Sequence, residues 1–267
     1  MRLIRHFLLA VQFFTRIPIT GKLADWVGFS PAMLRASAAH FPGVGWLVGS
    51  VAAGVYCVLA ALLPDTAYAP LVAAVLSTVA TVLLTGGFHE DGLADVTDGL
   101  GGSYDKARAL DIMKDSRVGA FGAMALCLAL LAKVALVALL GSVDNDLLFI
   151  ASALFAGHVV SRTLPLLLIY WLPHVGDSAA SKSKPLADQI SLTSVLTAFL
   201  WCFTALAFVI WVQAATDLIV ACTLSFIALL YMYRLFKRRL QGFTGDCLGA
   251  TQQVCEIAFY LGLAVAI

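Results

Sequence analysis

The sequence predicts an all-α polytopic integral membrane protein: a helical bundle of about seven transmembrane helices, preceded by an N-terminal amphipathic or membrane helix. Of the 267 residues, 61% are hydrophobic and only 12% are charged, and the mean hydropathy is +0.93. Soluble proteins carry about 25% charged residues. Apolar runs of about 20 residues, the length that crosses a bilayer as a helix, recur along the chain. We therefore treat residues 1–267 as one membrane-embedded domain.

The elements follow in order along the chain. Residues 3–15 are apolar but short, and Arg5, His6 and Gln12 interrupt them, so we predict an interfacial helix. The following "TRIPIT" is a poor cleavage site for a signal peptide, which indicates that this segment is retained. The seven predicted spans are 42–63, 67–87, 118–140, 147–171, 192–213, 217–236 and 248–267.

The charged residues predict an orientation. Alternating the spans places four segments on one side: 1–41, 88–117, 172–191 and 237–247. These segments and the helix ends beside them hold every Lys and Arg except Lys133 and Arg162. The opposite loops hold only acids: Asp65, Asp144, Asp146 and Asp217. Because positive residues favour the cytoplasm, we predict a multi-pass membrane protein with the basic side in the cytoplasm.

Charge and cysteine content limit the partners. A net charge of +1 creates no field that would attract nucleic acid, so the lipid bilayer is the predicted surrounding. The six cysteines have no CxxC spacing, and we interpret them as reduced, mostly buried thiols. A homo-oligomer is compatible with the sequence.

The motif "GGFHEDGLADVTDGL" begins at Gly86 and leads into the cytoplasmic segment 88–117, which we predict to be catalytic. If this stretch is helical, Asp91, Asp95 and Asp98 lie within an arc of roughly 60°. Three carboxylates on one stripe repel one another unless a cation neutralises them. Mg²⁺ prefers oxygen ligands and usually shares them with substrate phosphates. We therefore predict that these three residues bind Mg²⁺.

Basic residues follow the acids in "ARALDIMKDSRVGAFG". Asp111 and Asp115 stand beside Arg108, Lys114 and Arg117. Arg and Lys bind phosphate oxygens, so acids and bases together predict metal-assisted phosphoryl chemistry. The alternative is a solvated loop in which opposite charges pair with each other.

Three further residues, His89, Lys133 and Arg162, are candidates for binding substrate. His89 lies beside two acids, and it is either a base, a ligand or a polar interfacial residue. Lys133 and Arg162 lie inside predicted spans, where a charged residue usually has a function. The alternative is that each side chain snorkels to the membrane interface. His158 precedes Arg162 by one helical turn, so the two share a face.

A second predicted cytoplasmic motif occupies residues 237–250. It contains the start of the stretch "GFTGDCLGATQQVCE", which covers residues 242–256. Here Gly245 and Asp246 follow a basic run at the end of a predicted span. A Gly-rich turn that leads into a helix exposes backbone N–H groups suited to phosphate. We predict that Gly245 contacts substrate and that Asp246 is catalytic, against a simple anchoring role for the basic run.

Together these motifs resemble the cobalamin synthase (adenosylcobinamide-GDP ribazoletransferase) family, as do "FFTRIPIT" and "HFPGVGWLVG" near the N-terminus. The resemblance extends from about residue 7 to 256. It implies that adenosylcobinamide-GDP and α-ribazole, or its 5′-phosphate, are joined with Mg²⁺ as cofactor and GMP as the leaving product. The resemblance also implies a polytopic inner-membrane protein. The family motif falls on these positions of the chain: His89, Asp91, Gly92, Asp95, Asp98, Gly99, Asp115, Ser116, Arg117, Gly119, Gly245 and Asp246. Glu90 departs from the pattern, since many relatives have an apolar residue there.

The mechanism expected from this resemblance assigns a role to each group. Asp91, Asp95 and Asp98 hold one or two Mg²⁺, and Arg117 or Lys114 neutralises the departing GMP. Asp115 or Asp246 accepts the hydroxyl proton of ribazole. Two alternatives stay open: a CDP-alcohol phosphotransferase, which fits only the DVTDG part of the motif, and an ion-coupled transporter, which only the Gly-interrupted helices support.

Overall fold

The structure, a computed structural model, describes four stretches of the chain: 2–143, 146–176, 189–213 and 218–267. In these stretches the regular structure is helical, apart from one isolated bridge between His174 and Phe243. The predicted all-α class is therefore confirmed. Asp144, Asp217 and most of the predicted loop 172–191 lie outside the described residues.

Three short helices precede the membrane bundle: α1 (Arg2–Phe14), α2 (Gly21–Val27) and α3 (Pro31–Ser37). α1 has 13 residues, or about 20 Å, against the roughly 30 Å of a bilayer core. It buries Leu9 and Phe14 and leaves Leu3 exposed. The prediction of a short amphipathic element is confirmed.

The remaining helices form the bundle and its polar appendage. In chain order they are α4 (Phe41–Leu62), α5 (Ala69–Thr85), α6 (Phe88–Gly102), α7 (Lys106–Met113), α8 (Ala120–Gly141), α9 (Leu147–Thr163), α10 (Pro165–Trp171), α11 (Leu192–Val212), α12 (Leu218–Arg239) and α13 (Gly245–Ala266). Six segments of the described chain are long and apolar enough to cross a membrane, or seven if α5 and α6 count as one bent span. Five of these segments match predicted spans to within three residues at each end. The first begins at Pro31, earlier than the predicted 42, and the bent pair continues to Gly102, beyond the predicted end at 87.

The bend between α5 and α6 determines where the acidic motif lies. Gly86 and Gly87 both adopt left-handed backbone conformations, each with φ of 70°, which residues with a Cβ rarely adopt. The two helices consequently meet at 89°. We treat α5 as the crossing segment and α6 as a helix outside the span, across its end.

Glycines allow the closest helix contacts in the bundle. α4 packs along α9, and a Cβ at Gly45 would lie 2.7 Å from the His158 carbonyl oxygen. At Gly49 it would lie 2.9 Å from the Phe155 backbone. Close backbone approach at small residues is a principal source of helix association in membranes. α6 packs against both α8 and α13, so the acidic helix is held by two membrane helices.

Candidate functional site

The acidic helix α6 meets the second motif at the start of α13. A Cβ at Gly92 would lie 2.8 Å from the backbone oxygen of Asp246. Only a residue without a side chain allows this approach. The contact brings Asp246 close to the acidic residues of α6 that lie within one helical turn of Gly92. The structure therefore unites two motifs that are about 150 positions apart in the sequence.

The carboxylates around this contact interact strongly. Burial, together with the nearby negative charges of Asp246, Asp91 and Asp98, raises the pKa of Asp95 to about 7. Asp91 is exposed and Asp95 is half-buried. Carboxylates that share a site repel one another, and this repulsion disfavours the charged form of Asp95.

A divalent cation fits these residues only if water and substrate complete its coordination shell. Within the described stretches, no group of three His, Cys, Asp or Glu side chains is arranged to hold a metal ion. Mg²⁺, however, is usually bound by one or two carboxylates, waters and substrate phosphates. The unbalanced charge around Asp95 and the exposure of Asp91 suit that mode of binding.

Asp98 has partners that the sequence did not suggest. It is buried, and its Oδ2 accepts a hydrogen bond from the Gly119 N–H at 2.7 Å. Its Oδ1 accepts one from the Gly122 N–H at 2.8 Å. Gly122 itself has no room for a Cβ, which would collide with Asp98. Asp98 thus caps the start of α8 from another helix, and its predicted role as a metal ligand stays a prediction.

The cap also positions the segment before α8. There Asp115 and Arg117 form a bidentate pair, with Arg117 Nη2 to Asp115 Oδ2 at 2.6 Å and Nε to Oδ1 at 3.0 Å. The Arg117 side chain is 87% exposed. Its hydrogen bonds lower the pKa of Asp115 to about 2. Lys114 is partly exposed and lies 3.8 Å from Asp111.

The second motif forms the start of α13. Thr244 caps the helix by accepting a hydrogen bond from the Cys247 N–H at 3.4 Å, and its hydroxyl donates to Asp246 Oδ2 at 3.2 Å. Gly245 is the first helical residue. A Cβ at Gly249 would lie 3.2 Å from the His89 backbone. This motif therefore supports α6 as well as presenting Asp246.

The two predicted intramembrane cations are buried in a polar network. Lys133 Nζ lies 2.7 Å from Glu256 Oε1, and His158 Nδ1 lies 3.5 Å from Glu256 Oε2. Arg162 Nη1 lies 3.0 Å from His158 Nδ1, which confirms their predicted shared face. Gln252 donates to Glu256 at 2.6 Å. Lys133 and Arg162 thus have partners inside the bundle, and their predicted contact with substrate stays untested.

This network extends to α6. Gln253 Nε2 donates to Glu90 Oε1 and to the Gln252 side-chain oxygen, both at 3.0 Å. His89 is buried and stacks on Phe41, with 5.5 Å between ring centroids. Its side chain faces the bundle interior, and its predicted role in substrate binding stays a prediction.

Sequence reasoning missed the central member of the network. Glu256 is 1% exposed, and its carboxylate contacts Lys133 on α8 and His158 on α9, but we did not pair it with the intramembrane bases. A signal was present: Glu256 lies inside the predicted span 248–267. An acid within one span and bases within two others predict an ion pair between those spans.

Comparisons with known proteins agree over nearly the whole chain. The model of the cobalamin-5-phosphate synthase family matches residues 6–264. A Polaromonas sp. (strain JS666) protein named adenosylcobinamide-GDP ribazoletransferase is 70% identical, covering 99% of this chain and 98% of its own. Relatives of the same name from Polaromonas naphthalenivorans (67% identical, all of both chains) and Leptothrix cholodnii (46% identical, 97% of this chain and 94% of its own) are also similar.

No solved structure is significantly similar to the chain. The family match and the relatives confirm the resemblance seen in the acidic and Gly-rich motifs. They also favour an enzyme over the transporter alternative. The chain belongs to the cobalamin-5-phosphate synthase (adenosylcobinamide-GDP ribazoletransferase) family, and it is a transferase of cobalamin biosynthesis with several membrane-spanning helices.

Proposed function

We propose that the chain joins adenosylcobinamide-GDP to α-ribazole, or to α-ribazole 5′-phosphate, in a Mg²⁺-dependent reaction that releases GMP. The observation that carries this proposal is the convergence of Asp91 and Asp95 on α6 with Asp246 on α13. Family membership supplies the substrate class, and the carboxylate cluster supplies the reason for a cation.

The reaction exchanges one phosphorus–oxygen bond for another. A ribose hydroxyl of ribazole attacks the cobinamide-linked phosphorus, the phosphoanhydride bond breaks, and GMP leaves with the bridging oxygen. The hydroxyl proton goes to a carboxylate of the site. Asp246 suits this step because it lies at the junction of the two helices, and Asp115 is the other candidate.

Asp91 and Asp95 are the residues that would hold Mg²⁺. When bound, the ion would neutralise phosphate charge and favour departure of GMP. Asp98 holds the Asp115–Gly119 segment beside α6 through the Gly119 N–H. Arg117 then stands at the surface of the site, where its guanidinium can exchange Asp115 for a phosphate oxygen.

The test uses purified protein in detergent or nanodiscs with both substrates and Mg²⁺. GMP and corrinoid product are measured together by chromatography. We expect one GMP for each cobalamin or cobalamin phosphate, and none after addition of EDTA. Folded protein that makes neither product, or that instead transfers a labelled alcohol from a CDP-alcohol into lipid, would refute the proposal in favour of the phosphotransferase alternative.

We further propose that the site faces the cytoplasm from the inner membrane. The basic loops support this orientation, and an odd number of spans then places the C-terminus outside. A C-terminal alkaline phosphatase fusion should be active, and a fusion at Tyr104, which is 90% exposed after α6, should be inactive. The opposite pattern would reverse the topology.

A further inference from the structure

A cavity beside Asp91 has no role in the reaction described so far. It has a volume of about 490 Å³ and lies where α1 meets the bend between α5 and α6. Its lining includes Gln12 and Arg16 from the N-terminal region and Asp91 from the acidic helix. The rings of Phe13 and Phe88, 5.8 Å apart, close one wall.

The main chain of Arg16 is fixed at this cavity. Its N–H donates to the Leu84 carbonyl at the end of α5, at 2.7 Å. The Thr15 hydroxyl donates to the Val11 carbonyl at 2.7 Å and accepts from the Ile17 N–H at 3.1 Å. These bonds order the chain on both sides of Arg16.

The guanidinium of Arg16 is placed by a glycine. A Cβ at Gly86 would collide with Arg16 Nε, and the left-handed φ of 70° at Gly86 also disfavours a side chain. Arg16 is exposed. No Asp or Glu of the described chain forms an ion pair with it, although Asp91 lines the same cavity.

An unpaired guanidinium and a carboxylate across one cavity suggest complementary partners. Arg binds phosphate oxygens with two parallel hydrogen bonds, whereas Asp attracts the cation that accompanies a phosphate. The cavity is also large enough for a phosphate ester with part of its sugar, since small-molecule sites range from about 300 to 1,000 Å³.

We propose that Arg16 binds a phosphate group of a substrate in this cavity, opposite Asp91. This inference rests on the proposed function, which supplies two substrates that carry phosphate. One is the diphosphate of adenosylcobinamide-GDP, and the other is the 5′-phosphate of α-ribazole 5′-phosphate. In either case Arg16 is a residue that determines substrate affinity.

The experiment compares Arg16→Ala and Arg16→Lys with wild type. KM is measured separately for adenosylcobinamide-GDP, α-ribazole and α-ribazole 5′-phosphate, and equilibrium binding is measured for each substrate alone. Loss of a charged bidentate contact should raise one KM roughly 10- to 100-fold. Arg16→Lys should recover part of the loss, because it keeps the charge but not the fork.

The pattern of KM values identifies the phosphate. An increase confined to α-ribazole 5′-phosphate, with α-ribazole unaffected, assigns the ribazole phosphate. An increase confined to adenosylcobinamide-GDP assigns the diphosphate. Arg35→Ala is the matched control, since Arg35 is exposed on α3 and does not line the cavity.

Unchanged KM and binding in Arg16→Ala, in an active preparation, would overturn the inference. So would a lower thermal stability with every KM unchanged, because Arg16 would then only brace the Gly86 turn. A wild-type protein that forms no GMP is a separate result, which contradicts the proposed function itself.

Discussion

Replacing Asp98 with Asn tests the link between α6 and the start of α8. The carboxylate accepts from two N–H groups, at 2.7 and 2.8 Å, and is only 8% exposed. An asparagine retains one acceptor oxygen and turns an NH2 group toward the second N–H. The change therefore removes one charge-assisted bond and leaves a donor facing a donor.

The expected loss of local stability follows from the one hydrogen bond that is lost. One lost hydrogen bond to a charged group is worth about 1.5–3 kcal/mol, or roughly a 10- to 150-fold change in a local opening equilibrium. Hydrogen exchange measured by mass spectrometry on peptides that cover Gly119 and Gly122 should show a loss of protection of that size. The measurement is made first without Mg²⁺, so that metal binding cannot contribute, and is then repeated with Mg²⁺.

Asp111→Asn is the control for the Asp98 experiment. Asp111 is a mostly exposed acid on the neighbouring helix α7, and its substitution should leave exchange at Gly119 and Gly122 unchanged. If Asp98→Asn exchanges like wild type in these peptides, the capping argument is wrong. An effect that appears only with Mg²⁺ would assign Asp98 to the metal instead.

Two other substitutions test the packing that supports the site. Lys133→Met leaves the buried Glu256 without its lysine partner and should destabilise the protein by about 3–5 kcal/mol in chemical unfolding. The double variant Lys133→Met/Glu256→Gln should recover part of the loss. Equal stability of wild type and the two variants would contradict this role. Gly92→Ala places a methyl group 2.8 Å from the Asp246 carbonyl and should reduce GMP formation at least tenfold, whereas Gly54→Ala, where a Cβ meets nothing within 4 Å, should not. Full activity of Gly92→Ala would argue against the close approach of α6 and α13.

The membrane architecture could be predicted because bilayer thickness imposes a length on each apolar run. That constraint located six spans, or seven if α5 and α6 count as one bent span, and separated them from the short helix α1. It could not reveal the bend at Gly86 and Gly87, since a pair of glycines indicates conformational freedom and not a direction. The same pair therefore gave no indication that α6 turns back onto α8 and α13.

The candidate site could be predicted in part. Periodicity placed Asp91, Asp95 and Asp98 on one stripe, but it treated the three acids as equivalent. The structure separates them, because the glycines before and within α8 bind Asp98 while Asp91 stays exposed. Contacts between distant segments have no periodic signal, and the partnership of Glu256 with Lys133 could be predicted only from opposite charges inside two predicted spans.

The central claim is that the acids joining α6 to α13 bind the Mg²⁺ on which transfer depends. The most direct test is the Mg²⁺ dependence of coupled GMP and corrinoid formation in wild type, Asp95→Asn and Asp111→Asn. We predict that wild type and Asp111→Asn respond to Mg²⁺ alike, and that Asp95→Asn loses roughly 100- to 1,000-fold in turnover, the size typical for loss of a main electrostatic contribution. Turnover of Asp95→Asn equal to wild type across the same Mg²⁺ range would contradict the account.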